Sequence, residues 1–149
     1  MTKVFYAEGS GTLLDHIEQP QSAQILGYRF ENFDYEAMTI DVAFEASSTL
    51  LNAAGTVQGG FIAAMLDEVT GGLVVLCTDG CYRAATLSLN ISYLSAARTG
   101  VLKGRGRITK LGKATVFLSA ELRRDDDTIV AKSDQVAALF SLGEAKGRG

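Results

Sequence analysis

The sequence predicts an α+β domain in which one long helix lies along the concave face of a curved antiparallel sheet. Three observations lead there. Residues 57–76 (VQGGFIAAMLDEVTGGLVVL) form an apolar run long enough for about five helical turns. Two segments before that run alternate apolar and polar residues at the strand period, and four more follow it without a second helical pattern. A helix that is greasy almost all round needs cover on several sides, and a sheet wrapped around it supplies that cover.

The elements follow in chain order. Gly11 to Glu18 reads as a short helix ended before Pro20, in an N-terminal segment (1–20) of helical and irregular character. Residues 25–34 (ILGYRFENFD) put Leu26, Tyr28 and Phe30 on one face, and residues 38–45 (MTIDVAFE) do the same with Ile40, Val42 and Phe44. After the loop SSTLLNAAGTVQ the long helix is expected from Gly59 to Thr78, closed by the turn Asp79-Gly80. Four strands come next: Arg83–Leu94, Val101–Lys110, Ala114–Arg124 and Thr128–Phe140. Leu111-Gly112 and Asp125-Asp126-Asp127 read as hairpin turns between them, and the tri-aspartate lacks the flanking ligands of a calcium loop. With no internal repeat or linker, the 149 residues are expected to form one domain.

Composition removes several function classes. A formal charge of −3 argues against a general nucleic-acid binder, which needs a basic face to neutralise phosphates. The first residues carry no signal-peptide apolar core, and Asp67 and Glu68 interrupt the long greasy run, so no membrane span is expected and a cytoplasmic location is. Cys77 and Cys81 are the only cysteines and have no histidine near them, which leaves too few soft ligands for a metal; they read as structural thiols. His16 is the single histidine and sits in a polar stretch, so it reads as a surface residue. Chemistry here falls to carboxylates, amides and backbone, with no cofactor expected.

Asp67 and Glu68 are the outstanding candidates, because a carboxylate on an apolar helix is costly unless it is partnered or exposed. Neighbouring helical residues point about 100° apart, so at most one is expected to face a pocket, the other being a rim or ion-pair residue. Upstream, Gly59-Gly60 opens the helix, where free N–H groups and the positive end of the helix dipole hold an oxyanion. A carboxylate and an oxyanion donor together suit acyl transfer. Gly59 and Asp67 nevertheless lie about 12 Å apart along one helix. A two-fold dimer with antiparallel helices brings Gly59 of one chain to Asp67 of the other.

The run Asn52, Gln58-Gly59-Gly60 and Asp67, followed by AATLSLNISYLSAARTG and TKLGKATVF, resembles the hotdog-fold acyl-CoA thioesterases of the phenylacetate-pathway (PaaI-like) type. The likeness runs from about Gly27 to Leu139. Gln58 stands where that family usually has histidine; glutamine donates a hydrogen bond but does not titrate near neutral pH. The resemblance implies an acyl-CoA substrate and a homodimer, commonly paired into a homotetramer, with sites shared between chains. It implies Asp67 as nucleophile or general base, Gly59 N–H as oxyanion donor, Asn52 orienting water or thioester, and Thr86 as a hydroxyl partner of the carboxylate. Gly60, Phe61 and Met65 are candidate contacts for the acyl group, though the last two suit the core as well. Arg98, Lys103, Arg105, Arg107, Lys110 and Lys113 are candidates for the coenzyme phosphates, and outward positions on an exposed strand give the same cluster. The alternative is a non-catalytic hotdog that binds acyl-CoA; a hotdog dehydratase fits less well, since its catalytic histidine is missing.

Overall fold

Alternating side chains make the first two strands, β1 (Tyr28–Asp34) and β2 (Thr39–Ala46), and they pair antiparallel. The computed structural model describes residues 2–143; Met1 and residues 144–149, the ends of the expected domain, lie outside the described residues. β1 starts three residues later than the expected segment at 25, because Gln21–Ile25 forms a short helix, α1, behind Pro20. Gly27, at φ +68°, then turns the chain into the strand, and a Cβ there would fall 2.5 Å from the Glu45 carbonyl oxygen. The expected Gly11–Glu18 helix is only a turn of 3₁₀ helix at Leu13–His16, started by Thr12. Asp15 competes for the chain by accepting from the Ser10 and Gly11 N–H groups.

The long helix α2 spans Gly59–Cys77. Its C-terminus is closed by Thr78, whose hydroxyl donates to Val74 O (2.7 Å), and by left-handed Asp79 and Gly80. Four strands follow: β3 (Tyr82–Tyr93), β4 (Gly100–Leu111), β5 (Thr115–Arg124) and β6 (Ile129–Ser141). They agree with the expected segments to within a residue at each end. All pairs are antiparallel and the sheet order is β1-β2-β4-β5-β6-β3, so β1 and β3 are its edges. This is the hotdog arrangement: α2 packs against β2 through β6.

Leu66, Val69, Leu73 and Val74 of α2 are fully buried against Ile40, Val42, Phe44, Leu102, Val116 and Leu122 of the sheet. The helix is long and apolar enough to cross a membrane by length and composition alone, but its apolarity is used in this core. β4 alternates Lys103, Arg105 and Arg107 outward with Gly104 and Gly106 inward, and the glycines let the helix come close. A Cβ on Gly104 would stand 2.7 Å from a Val69 methyl, and one on Gly106 2.9 Å from the other. On the other flank the N-terminal segment forms a strap: Tyr6 N–H bonds Ile17 O, Gln19 N–H bonds Val4 O, and Leu14 is buried against Gly72. Neither cysteine is bridged; burial pushes the Cys77 thiol up to about 11, which makes it unreactive.

Candidate active site

Asp67 lies on the exposed side of α2, where β3 and β6 bring two side chains up to it. Its Oδ1 accepts from Thr86 Oγ1 on β3 (2.7 Å) and from Gln135 Nε2 on β6 (2.8 Å). Gln135 Nε2 also donates to Thr86 Oγ1 (2.7 Å), closing a three-residue ring. The Gln135 carbonyl oxygen accepts from Thr70 Oγ1 (2.7 Å), one turn along the helix from Asp67. Among the described residues nothing bonds Oδ2, so both donors load one oxygen and leave the other open.

Of the two expectations for Glu68, rim or ion-pair residue, the structure shows it at the cavity edge with a hydroxyl partner: Tyr6 of the strap donates to Glu68 Oε1. Both carboxylates border one cavity of about 240 Å³, with Tyr6, Leu14, Ile17, Val75, Ala84, Thr86 and Gln135 in its lining. The reason is the strap. It walls the side toward which Glu68 turns, so a 100° rotation still ends in the same cavity. Burial raises the Glu68 carboxyl above the usual carboxylate range, the Tyr6 bond lowers it in part, and the Asp67 charge adds to the rise. Burial and Glu68 together push the Tyr6 hydroxyl well above its ordinary value.

Gly59 and Gly60 begin α2 ahead of its first bonds, in which Gln58 O accepts from Phe61 N–H (2.9 Å) and Ile62 N–H (3.2 Å). Tyr93 of β3 fixes this end by donating to Gly59 O at 2.8 Å. Gln58 is exposed and caps nothing with its side chain, which lies over Gly60. Asn52 is occupied locally: its Oδ1 accepts from Ala54 and Thr56 N–H (3.0 and 3.2 Å), and its Nδ2 donates to Thr56 Oγ1 (3.0 Å). It shapes the loop into α2. Gly59 and Asp67 occupy the first and ninth positions of that helix, so one protomer does not bring them together.

Of the acyl contacts, Met65 is fully buried in the core of the protomer, the place its apolar character suits as well. Phe61 is half-buried against that core, and Gly60 is exposed. The β4 cations are the outward residues of a strand, with Arg105 3.5 Å from Asp41; Lys110 and Lys113 are exposed around the β4–β5 hairpin. Arg98 is exposed beside Ala97, whose carbonyl accepts Val57 N–H at 2.8 Å, near the start of α2. Among the described residues no cluster of histidine, cysteine and carboxylates could hold a metal. Sequence reasoning missed Gln135, Thr70 and Tyr6. Gln135 carried one signal, a long polar residue at an inward position of β6 among Ala131, Ser133 and Ala137.

A hotdog sheet around one helix, with a fixed carboxylate at mid-helix and open N–H groups at its start, defines a thioesterase-type domain. The family model of the thioesterase superfamily matches residues 54–131, more than half of the chain, and the chain belongs to that superfamily. Human acyl-coenzyme A thioesterase 13 is 32% identical over 72 residues, 48% of this chain and 51% of that protein. The chain thus spans about half the length of the curated relatives it matches. A phenylacetic acid degradation-related protein from Ralstonia eutropha JMP134 is 36% identical, with a TM-score of 0.76 over 80% of this chain and 90% of that one. A Streptococcus mutans UA159 protein bound to acetyl-CoA shares the fold at 24% identity, with a TM-score of 0.69 over 76% of this chain and 89% of that one.

Proposed function

We propose that the protein hydrolyses an acyl- or aryl-CoA thioester to the free acid and CoA at sites shared between two chains. The observation that carries this reading is the Asp67 carboxylate at the edge of the cavity, with Oδ1 held by Thr86 and Gln135 and Oδ2 without a partner among the described residues. Asp67 Oδ2 takes a proton from water as the water oxygen adds to the thioester carbon. The carbonyl electron pair moves onto oxygen, which Gly59 N–H of the partner subunit stabilises. Collapse expels the CoA thiolate, and the proton on Asp67 returns to sulfur. Direct attack by Asp67, followed by hydrolysis of the anhydride, gives the same products.

The dimer is argued from two surfaces. β3 is a twelve-residue edge strand with no fully buried residue, and Leu87 on it is 65% exposed. Long exposed edges of this kind pair with another chain. Along α2, Gly60, Ala64, Asp67 and Gly71 form an exposed line of mostly small residues, which suits close approach of a second helix.

The test is a panel of short, medium and aryl acyl-CoA thioesters read by thiol release, with sedimentation on the same sample. Turnover of at least one thioester by a dimer or larger assembly is expected. Binding of acyl-CoA without turnover makes the protein a non-catalytic acyl-CoA module instead, a reading that Gln58 in place of histidine keeps in view.

A further inference from the structure

We infer that Gln135 is a positioning residue for the reaction: its amide fixes the Asp67 carboxylate so that Oδ2, and not Oδ1, meets the reacting water or carbonyl. The inference rests on the role proposed for Asp67. Gln135 is 4% exposed, so its polar atoms are satisfied inside the protein or not at all.

Gln135 has three side-chain contacts, and the one to the carboxylate decides which way the amide points, since both hydroxyls can donate or accept. Oε1 faces the Thr70 hydroxyl at 2.7 Å, and Nε2 faces both Asp67 Oδ1 (2.8 Å) and Thr86 Oγ1 (2.7 Å). Turning the amide over would place Oε1 against the carboxylate oxygen, two acceptors at contact distance. Both amide hydrogens are then committed, one to each partner. Thr86 accepts from the amide, which leaves its own proton for Asp67 Oδ1. The carboxylate therefore has one oxygen with two donors, and rotation about its last bond would break both. A carboxylate on an exposed helix face without these anchors samples several rotamers, and misplacement by about 1 Å costs on the order of 10²-fold in rate.

The position in the fold supports the same reading. Thr70 and Asp67 belong to α2, Thr86 to β3 and Gln135 to β6, so the amide ties the helix to both strands at the carboxylate. The titratable groups facing Asp67 are Glu68 on α2 and Tyr6 of the strap, with Tyr28 of β1 beyond them. Among the described residues, β3 and β6 bond Asp67 through the neutral Thr86 and Gln135.

The test uses the full chain and whichever thioester of the panel turns over fastest. Gln135→Met keeps the length of the side chain and removes the amide. Its kcat is expected to fall on the order of 10²-fold with KM within about twofold, since misplacement acts on the chemical step. Thr70→Val removes the donor on Oε1 and so one tether of the amide, and should show the same pattern more weakly; it keeps the test usable where Gln135→Met fails to fold. Unchanged kcat in both variants overturns the inference, as does a loss carried by KM with kcat unmoved. Full activity in Asp67→Asn overturns the role of Asp67 itself, a separate failure.

Discussion

Replacing Asp67 by Asn removes one property and keeps the rest. The Asn carbonyl oxygen can take the place of Oδ1 and accept from both Thr86 and Gln135, while the NH₂ group falls where Oδ2 now stands. That group donates and takes up no proton, so base and nucleophile are lost without a change of shape. General-base loss is worth about 10²–10⁴-fold in kcat, roughly 3–5 kcal/mol of transition-state stabilisation. Because Asp67 is exposed and its bonds have substitutes, the melting temperature should stay within a degree or two, as expected for about 0.5 kcal/mol. Thiol release from an active acyl-CoA measures kcat, and thermal melting run alongside reports the fold. Glu68→Gln should retain most of the activity, since Glu68 already has Tyr6 as its partner. Near-wild-type turnover in Asp67→Asn, or a dead Glu68→Gln with an active Asp67→Asn, refutes the assignment.

Glu68 also sets a pH dependence of stability. Its folded-state carboxyl is raised, so it favours the fold below the usual glutamate range and loses that contribution as pH rises through the folded value. Glu68→Gln should therefore gain melting temperature over wild type near neutral pH, and the gain should shrink toward about pH 4; a gain independent of pH contradicts this. Tyr6→Phe leaves that half-buried carboxylate without its donor and should cost about 1–2 kcal/mol in denaturant unfolding. Gly104→Ala forces a Cβ to 2.7 Å from Val69 and should cost about 1–3 kcal/mol, read as a fall of several degrees in melting temperature. Leu87→Asp on the β3 edge should shift the sedimentation coefficient toward monomer and remove turnover with it; a fully active monomer refutes the shared site.

The strands and the long helix were legible because each buries one face, and burial writes a period into the sequence. α2 was found to within a residue of its observed C-terminus and at its observed start, since Gly59 and Asp79-Gly80 mark both ends chemically. The segment before residue 28 was not legible. Pro20 and Gly27 bracket only six residues, too few for any period to show, and α1 fills them. Asp67 stood out as a charge in an apolar run. Its anchors did not, because Thr86 and Gln135 lie 19 and 68 residues away in sequence and meet it only through the β3–β6 pairing. Thr86 came from resemblance and Gln135 from neither source. The strap was missed for the same reason: nothing local to Tyr6 tells that it ends on Glu68, 62 residues on.

The same long-range pairing explains why an acid pair sits in the middle of a core helix. Gly104 and Gly106 let α2 sink toward β4 at Val69, and the helix then meets the opposite flank of the sheet at a height fixed by backbone contact. Asp67 is two residues from Val69, so the depth of the helix sets how far its carboxylate stands from Thr86 and Gln135. A shallower helix lengthens both bonds at once. On the remaining side Leu14 and Tyr6 of the strap cover Gly72 and Glu68, which removes water from one wall of the cavity while Asp67 stays exposed on the other. The two neighbouring carboxylates thus receive opposite treatment from the fold. Glu68 is partly buried against a tyrosine and resists ionisation, whereas Asp67 is held by neutral donors at an open surface, the one at which the proposed second subunit would complete the site.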